Sequence, residues 1–429
     1  MQCPHAGRNT EQIMINIPKG TKDVLPEESY KWHYVEGLIR ELARTYGWRE
    51  IRTPTFEHTE LFLRGVGETT DIVNKEMYTF EDKGKRSITL KCEGTAGAAR
   101  AFVENGLENQ AQPTKMYYIT PVFRYEKPQS GRLREHHQFG VELYGSDSPF
   151  AEAEVILTAK TLLNRLGIQE LVLHINSIGC PVCRKDYNAA LKDYFASRID
   201  RMCPTCKERL NKNPLRILDC KVPECGEVAK DAPSTLDYLC GDCVTHMEKL
   251  KSILSGLNIP YVINPRLVRG LDYYTRTVFE FISQSIGAQS TVCGGGRYNN
   301  LVEEIGGKPT PAVGFGMGIE RLMMVAEAEG ASLGMPERPD IYIAPLGEEQ
   351  IMPAYLLVQE LRAKGIAAET DLMGRSLKAQ MKYADKIRTN YIAVLGADER
   401  ASGRIKLRNM NNGIEETIRL EDIAVRLGR

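Results

Sequence analysis

The chain has 429 residues, 42% hydrophobic and 26% charged, the balance of an ordinary soluble globular protein of about two to four domains. Its 56 basic residues are matched by 56 acidic ones, so a global pull toward nucleic acid is disfavoured while a local basic groove is not. No apolar run reaches the ~20 residues of a membrane span; "MQCPHAGRNTEQIM" lacks a cationic region followed by an apolar one, so no signal peptide is expected and the cytoplasm is favoured.

Residues 1–14 read as an extension. Pro26–Tyr46 then reads as an amphipathic helix, because Trp32, Val35, Ile39, Leu42 and Tyr46 recur at helical spacing and Leu38 widens the stripe. "REIRTPTFE" reads as a strand. Shorter strand patterns follow at "KEMYTFED", "SITLK", "KMYYITPVFRYE" and "HHQFGVELYG", separated by Gly, Pro and Asp, which implies a large antiparallel sheet. "PFAEAEVILTAKTLLNRLG" is helical and "LVLHIN" is a strand. Residues 180–262 change character: they are rich in Cys, Lys and Asp and read as a mainly helical insertion that divides a first domain into 15–179 and 263–330. Strands resume at "TRTVFEF", and "TPAVGFGMGIERLMMVAEAEG" is a strand turning into a helix. Residues 331–338 form a linker. Residues 339–429 alternate strand and helix and end in a hairpin turning at Asn412–Gly413, a small α/β domain. The whole is α+β.

Three polar clusters stand out. In "FRYEKPQSGRLREHHQFGVE" the forks of Arg124, Arg132 and Arg134 suit phosphate, with Glu126 and Glu142 available for a metal or an amine; a charged, solvated hairpin is the alternative. In "KCEGTAGAARAF" Glu93 and Thr95 precede a helix and suit a ligand ammonium, or Thr95 is simply its cap. In "RLVRGLDYYTRT" a buried Arg269–Asp272 ion pair is the alternative to a site. "AVGFGMGIERL" adds glycines that admit close backbone approach, and Arg321 near a helix start. No Gly-x-Ser-x-Gly, His-Glu-x-x-His or P-loop occurs. Arginine beside glycine and carboxylate suits nucleotide binding and phosphoryl charge stabilisation.

Eight cysteines fall in close pairs: Cys180 with Cys183, Cys203 with Cys206, Cys220 with Cys225, Cys240 with Cys243. This spacing matches zinc ribbons, and two four-thiolate structural sites would use all eight. Which pairs share a metal is open, and reduced buried thiols are the alternative. Disulfides do not suit a cytoplasmic chain.

Together these motifs resemble a class II aminoacyl-tRNA synthetase, of the bacterial histidyl type, over nearly the whole chain from "IPKGTKDVLP". "REIRTPTFE", "FRYEKPQSGR…HHQFGVE" and "GFGMGIERL" are similar to the three class motifs, the first of which builds a homodimer interface. "LVRGLDYYTRTVFEF" and "GGGRYNNL" are similar to segments peculiar to the histidine enzyme. The resemblance implies an antiparallel-sheet catalytic domain and a C-terminal anticodon-binding domain. It implies activation of L-histidine by ATP with Mg2+, then transfer to the 3′ end of histidine tRNA. No DNA, membrane partner or editing domain is implied. Arg124 and Arg269 would flank the α-phosphate as the catalytic pair. Glu126, Arg132, His136 and Arg321 would join Arg124 in the ATP site. Arg124 and Arg269 would also join Gly94 and Tyr273 in the histidine site, where Glu93, Thr95 and Gln138 would hold the amino and carboxylate groups and Glu142 and Tyr274 would address the imidazole. Gln129 would meet the tRNA acceptor end. Arg375, Lys378, Lys382 and Lys386 read as a basic stripe on one helix face, suited to tRNA, or as an ordinary solvated face. Two departures from the family pattern are Lys91–Cys92, where "RPEG" begins with Arg-Pro, and His136, where a Phe often stacks on adenine. The other reading is a non-catalytic paralogue, the regulatory subunit of the first histidine-biosynthesis enzyme. Such a paralogue lacks the C-terminal domain and loses the synthetase arginines, whereas Arg124, Arg269 and Arg321 are present here.

Overall fold

The computed structural model describes residues 14–67, 70–129, 131–283 and 291–428. Most of the expected N-terminal extension, and Ser130 of the Gln129–Gly131 loop, lie outside them. Two compact units divide at Gly334/Met335.

The first unit is built on an eight-stranded sheet. Its strands run in the spatial order Arg49–Glu50, Thr114–Phe123, Glu135–Tyr144, Ala312–Gly318, Thr291–Arg297, Thr275–Ser283, Leu171–Ser177, Tyr261–Ile263. The six central strands are antiparallel, and the two edge strands pair parallel. The expected α+β class, with its large antiparallel sheet, holds.

Strand alternation gives this sheet two unlike faces. Phe139, Val141 and Leu143, with Val313, Phe315 and Met317 and with Phe279 and Phe281, enter one apolar core. The helices Pro26–Tyr46, Pro149–Arg165 and Ile319–Ala328 cover that face. Val35, Ile39 and Leu42 of the first helix are fully buried there, worth ~1.5–3 kcal/mol each. That helix starts with Pro26 in its first turn and stops at Gly47, whose left-handed φ of 72° turns its N–H back to Ala43 and Arg44. The intervening positions Gln138, Gly140 and Glu142, with Gly314, Gly316 and Glu280, face the other way.

Two expected strands are shorter than their patterns. "REIRTPTFE" breaks into Arg49–Glu50, on the large sheet, and Phe56–His58, in a separate three-stranded sheet with Ser87–Leu90 and Thr79–Glu81. Pro54 sits at the break and has no N–H to give a ladder. "KEMYTFED" is extended only at Thr79–Glu81, because Ile72–Glu76 forms a single π turn. The insertion is helical at Pro181–Ala196, Pro204–Lys212, Pro223–Ala229 and Gly241–Gly256.

The second unit has a five-stranded sheet ordered Ala368–Thr370, Ile341–Pro345, Tyr391–Leu395, Arg404–Asn409, Glu415–Arg419. Its final hairpin turns where Asn409 Oδ1 accepts the Asn411 N–H at 2.8 Å and Gly413 takes a φ of +75°. Among the described residues no helix is long and apolar enough to cross a membrane.

Candidate active site

The face opposite the main core carries a trough floored by glycine. Across five neighbouring strands the register aligns Tyr118, Gly140, Gly316, Gly294 and Glu280. The three central residues have no side chain, so groups on either side fold over them. A Cβ at Gly140 would strike the Tyr118 ring, one at Gly294 the Arg269 guanidinium, and one at Gly316 the Gln138 amide. In the adjoining row a Cβ at Gly314 would strike the Glu142 carboxylate. Glycine here makes room for polar side chains lying flat on a sheet.

At one end of the trough a cavity of about 180 Å³ is lined by Arg124, Glu126, Arg132, His136, Gln138, Arg269 and Arg321. Backbone acceptors and a few carboxylates aim the arginines. Arg124 Nε donates to the Cys92 carbonyl at 2.7 Å. Arg321 donates to the carbonyls of Thr291 at 2.8 Å and Gly131 at 3.0 Å. Arg132 pairs with Glu126 at 2.8 Å. Arg269 pairs with Glu280, which also accepts from Thr291 Oγ1 at 2.9 Å. The Nε of Arg269 is buried without a hydrogen-bond partner among the described residues. Four guanidinium groups converging on one cavity suit a polyanion.

Beyond Gln138 the trough ends in a buried, hydrogen-bonded cluster of carboxylates and phenols. Gln138 links the two parts, lining the cavity and accepting the Gly94 N–H at 2.9 Å. Glu142 is fully buried and accepts from Thr95 Oγ1 at 2.7 Å, from Tyr118 Oη at 2.9 Å and from Tyr298 Oη. Burial pushes its pKa up to about 8, with the hydroxyl donors pulling the other way. Glu93, also buried, is pushed upward by burial. It accepts from the backbone N–H groups of Thr95 at 3.0 Å and Ala96 at 2.5 Å, and from Tyr273 Oη at 3.3 Å. Burial drives the Tyr274 phenol up to about 12, so it stays a neutral donor. Two carboxylates in a ring of phenols suit a small ligand with an ammonium group and a nitrogen heterocycle.

The family model described as histidyl-tRNA synthetase matches residues 20–322. The chain belongs to the histidyl-tRNA synthetase family. A second model, an anticodon binding domain, matches residues 340–428. The histidine–tRNA ligase of Caldanaerobacter subterraneus subsp. tengcongensis is 57% identical over 411 residues, 96% of this chain and 99% of that protein. That of Clostridium novyi is 56% identical, again over 96% of this chain and 98% of its own length. The crystal structure of apo histidyl-tRNA synthetase from S. aureus superposes with a TM-score of 0.84 at 39% identity, covering 97% of this chain and all of that one.

With the synthetase family in view, the structure brings Arg124, Glu126, Arg132, His136, Gln138, Arg269 and Arg321 to one cavity, and Glu93, Thr95, Glu142 and Tyr273 to the adjoining hydrogen-bonded cluster. Sequence reasoning missed Tyr118, Tyr298 and Glu280. The signal was present, since a buried Glu or Arg on a sheet face requires partners on neighbouring strands, but the register was not. Two alternatives resolve differently from their first form. The helix Thr95–Glu104 is capped by the Glu93 carboxylate, while Thr95 turns its hydroxyl to Glu142. Arg269 pairs with Glu280 rather than Asp272, which accepts from Asn213 Nδ2 at 3.0 Å.

Gln129 lies in a bridge with Arg132 beside the cavity. Arg375 does not belong to the basic helix face. The helix is Leu377–Lys386, and Arg375 precedes it, paired with Asp371 at 2.8 Å and stacked 4.3 Å from the Tyr383 ring. Lys378, Lys382 and Lys386 remain an exposed stripe at four-residue spacing. Of the two departures, Lys91 is buried with Nζ on the Thr53 carbonyl at 3.2 Å, its pKa lowered to about 8 by burial.

His136 is lowered to about 3, by burial first and then by Arg124 and Arg321, so it is neutral at every working pH. A neutral ring stacks as a Phe does, at ~0.5–1.5 kcal/mol per pair. His136→Phe is therefore expected to move the KM for ATP by less than about tenfold. The KM of the unsubstituted enzyme should show no inflection between pH 5 and 8 that the Phe variant lacks; a pH series on both proteins checks this.

The eight clustered cysteines form two groups that could each hold a metal ion: Cys180, Cys183, Cys240, Cys243 and Cys203, Cys206, Cys220, Cys225, with the sulfurs of each group all within 4.8 Å of one another.

Proposed function

We propose that the chain is a histidine–tRNA ligase. In the first step the histidine carboxylate attacks the α-phosphate of ATP, which enters as its magnesium complex, and pyrophosphate leaves. Arg124 and Arg269 neutralise the charge that builds on the phosphorus oxygens, the kind of fixed electrostatic stabilisation that works best away from bulk water. Arg321 holds the far phosphates and His136 the adenine. Glu93, Thr95 and Gln138 take the amino and carboxylate groups, while Glu142, Tyr273 and Tyr274 take the imidazole. In the second step the terminal ribose hydroxyl of histidine tRNA attacks the acyl carbonyl and AMP leaves. The observation that carries this reading is the union, on one glycine-floored sheet, of an arginine-lined cavity with a buried hydrogen-bonded cluster of two carboxylates and several phenols, in a chain related over 96% of its length to a histidine–tRNA ligase.

Selectivity follows from the pocket. Its buried acceptors and donors would be left unpaired by an apolar amino acid, so rejection is strong without editing. The regulatory-paralogue reading is disfavoured by the retained arginines and by the 340–428 domain. The reading also includes structural zinc in the cysteine-rich insertion, a cytoplasmic homodimer, and tRNA contacts from Gln129 and the lysine stripe.

The test is pyrophosphate exchange with purified protein, followed by charging of histidine tRNA. Exchange that depends on L-histidine alone supports the reading. Exchange with another amino acid, or with none, overturns it. Lys378→Glu, Lys382→Glu and Lys386→Glu in one chain should lower charging at least about tenfold at moderate salt and leave exchange unchanged. An unchanged charging rate would assign the stripe to solvent alone.

A further inference from the structure

The insertion supplies contacts to the site that the reaction does not require of it. The segment Leu267–Tyr274 carries Arg269 and two pocket tyrosines but has no regular secondary structure. Its shape must come from tertiary contacts, and several of them come from residues next to or between the clustered cysteines.

Cys206 and Cys220 bracket Arg209, Asn213 and Arg216. Arg216, a buried residue, donates from Nη1 to the Arg269 carbonyl at 2.8 Å. Asn213 donates to Asp272 at 3.0 Å. Arg209 ties the same loop to Asp71 at 2.8 Å and to the Arg216 carbonyl at 3.3 Å. At the other end of the segment Arg184, one residue after Cys183, donates to the Tyr274 carbonyl. Gly179, one residue before Cys180, accepts the Arg276 N–H at 2.9 Å.

The sulfur geometry says what fixes those loops. The Cys180 sulfur lies 3.6 Å from Cys183 and 3.8 Å from Cys240; Cys203 lies 3.9 Å from Cys220. A tetrahedron with metal–sulfur bonds of ~2.3 Å has edges of about 3.8 Å. A disulfide would bring two sulfurs to ~2.05 Å, and all eight cysteines are free. Thiols buried only as small hydrophobes have no reason to converge four at a time. Backbone N–H groups also point at sulfur, Cys240 at Cys183 (3.1 Å) and Cys203 at Cys225 (3.2 Å), as suits a ligand sulfur carrying negative charge.

We propose that the insertion binds two zinc ions, one in each four-cysteine group, and that the Cys203/Cys206/Cys220/Cys225 centre positions Arg269 and Asp272 through Arg216 and Asn213. Both centres are closed, with no open coordination position, so neither ion touches substrate. Asn213 and Arg216 are positioning residues. The positioning half rests on the function proposed above; the metal half does not.

Plasma mass spectrometry of the full chain, purified without added metal or chelator, should give two zinc ions per chain. Cys206→Ser/Cys220→Ser and Cys183→Ser/Cys243→Ser should each give one. A histidine-activating protein with eight titratable thiols and no metal would overturn the centres, as would visible absorbance from an iron cluster. For the positioning role, Asn213→Ala and Arg216→Ala should keep both zinc ions. Each should lower kcat of histidine-dependent exchange about tenfold while moving the KM for ATP less than about twofold, because a misplaced catalytic group costs rate before affinity. Arg216→Lys, which can still donate to the Arg269 carbonyl, should recover most of the rate. Zinc-replete variants with undiminished kcat would overturn the positioning role. If Arg216→Ala does not fold, the less buried Asn213→Ala decides. Zinc-loaded protein that activates a different amino acid would defeat the functional reading and leave the centres standing.

Discussion

Arg269→Lys is expected to lower kcat for histidine-dependent pyrophosphate exchange by about a hundred- to a thousandfold, the cost of losing one preorganised charge donor. The dissociation constant for histidine should change only a few fold. Arg269 lies over Gly294, anchored on Glu280 and held from behind by Arg216 through its own carbonyl. A guanidinium in that position can keep Glu280 on one nitrogen and present others to a phosphate oxygen. An ammonium is a single point; it serves one partner, and the Glu280 carboxylate competes for it. Stopped-flow or quench measurement of adenylate formation, beside equilibrium dialysis with labelled histidine, separates the two effects. Equal loss of rate and of histidine affinity would show that Arg269 only holds substrate.

Glu142→Gln should have the second largest effect, raising the KM for histidine at least about a hundredfold, as expected when a buried polar partner is lost. Both carboxylate oxygens of Glu142 accept from hydroxyls. The amide of Gln accepts on one side only and can never take up the negative charge that a ligand nitrogen would call on. The same variant carries a pH signature. Glu142 has a folded pKa of about 8 against an ordinary 4.5, so across that interval the folded state holds a proton that the unfolded state has released. Its contribution to stability is present in full below about 4.5 and is lost as pH rises through about 8, with a slope of up to ~1.4 kcal/mol per pH unit. Thermal melts between pH 6 and 8 should fall more steeply for the parent protein than for Glu142→Gln. Parallel melts would mean that Glu142 is ionised in the folded state throughout.

Much of this site was legible before any coordinates. "HHQFGVELYG" was legible as a strand because its pattern is local, and the structure extends it over Glu135–Tyr144. The helix Pro26–Tyr46 was legible for the same reason, its stripe and its terminating Gly47 being local signals. What was not legible depends on pairing between distant segments. Glu280 lies eleven positions beyond Arg269, and Tyr298 is 156 positions from Glu142; only the strand register brings them together. The grouping of the cysteines was hidden for that reason too, since Cys180 meets Cys240 across a separation of 60 residues. Pro54 shows a local signal underweighted: it divides "REIRTPTFE" between two sheets. Arg375 shows a periodic pattern extended one turn too far, past the start of its helix.

The two-faced strands have a consequence for how this protein can change. Gln138, Gly140 and Glu142 share a backbone with Phe139, Val141 and Leu143, each group spaced by single residues. No hinge or loop stands between catalysis and core to absorb a displacement. A packing defect behind the sheet is therefore transmitted directly as a misaimed carboxylate in front of it. Core packing and the aim of the trough side chains therefore rest on one and the same stretch, residues 138–143.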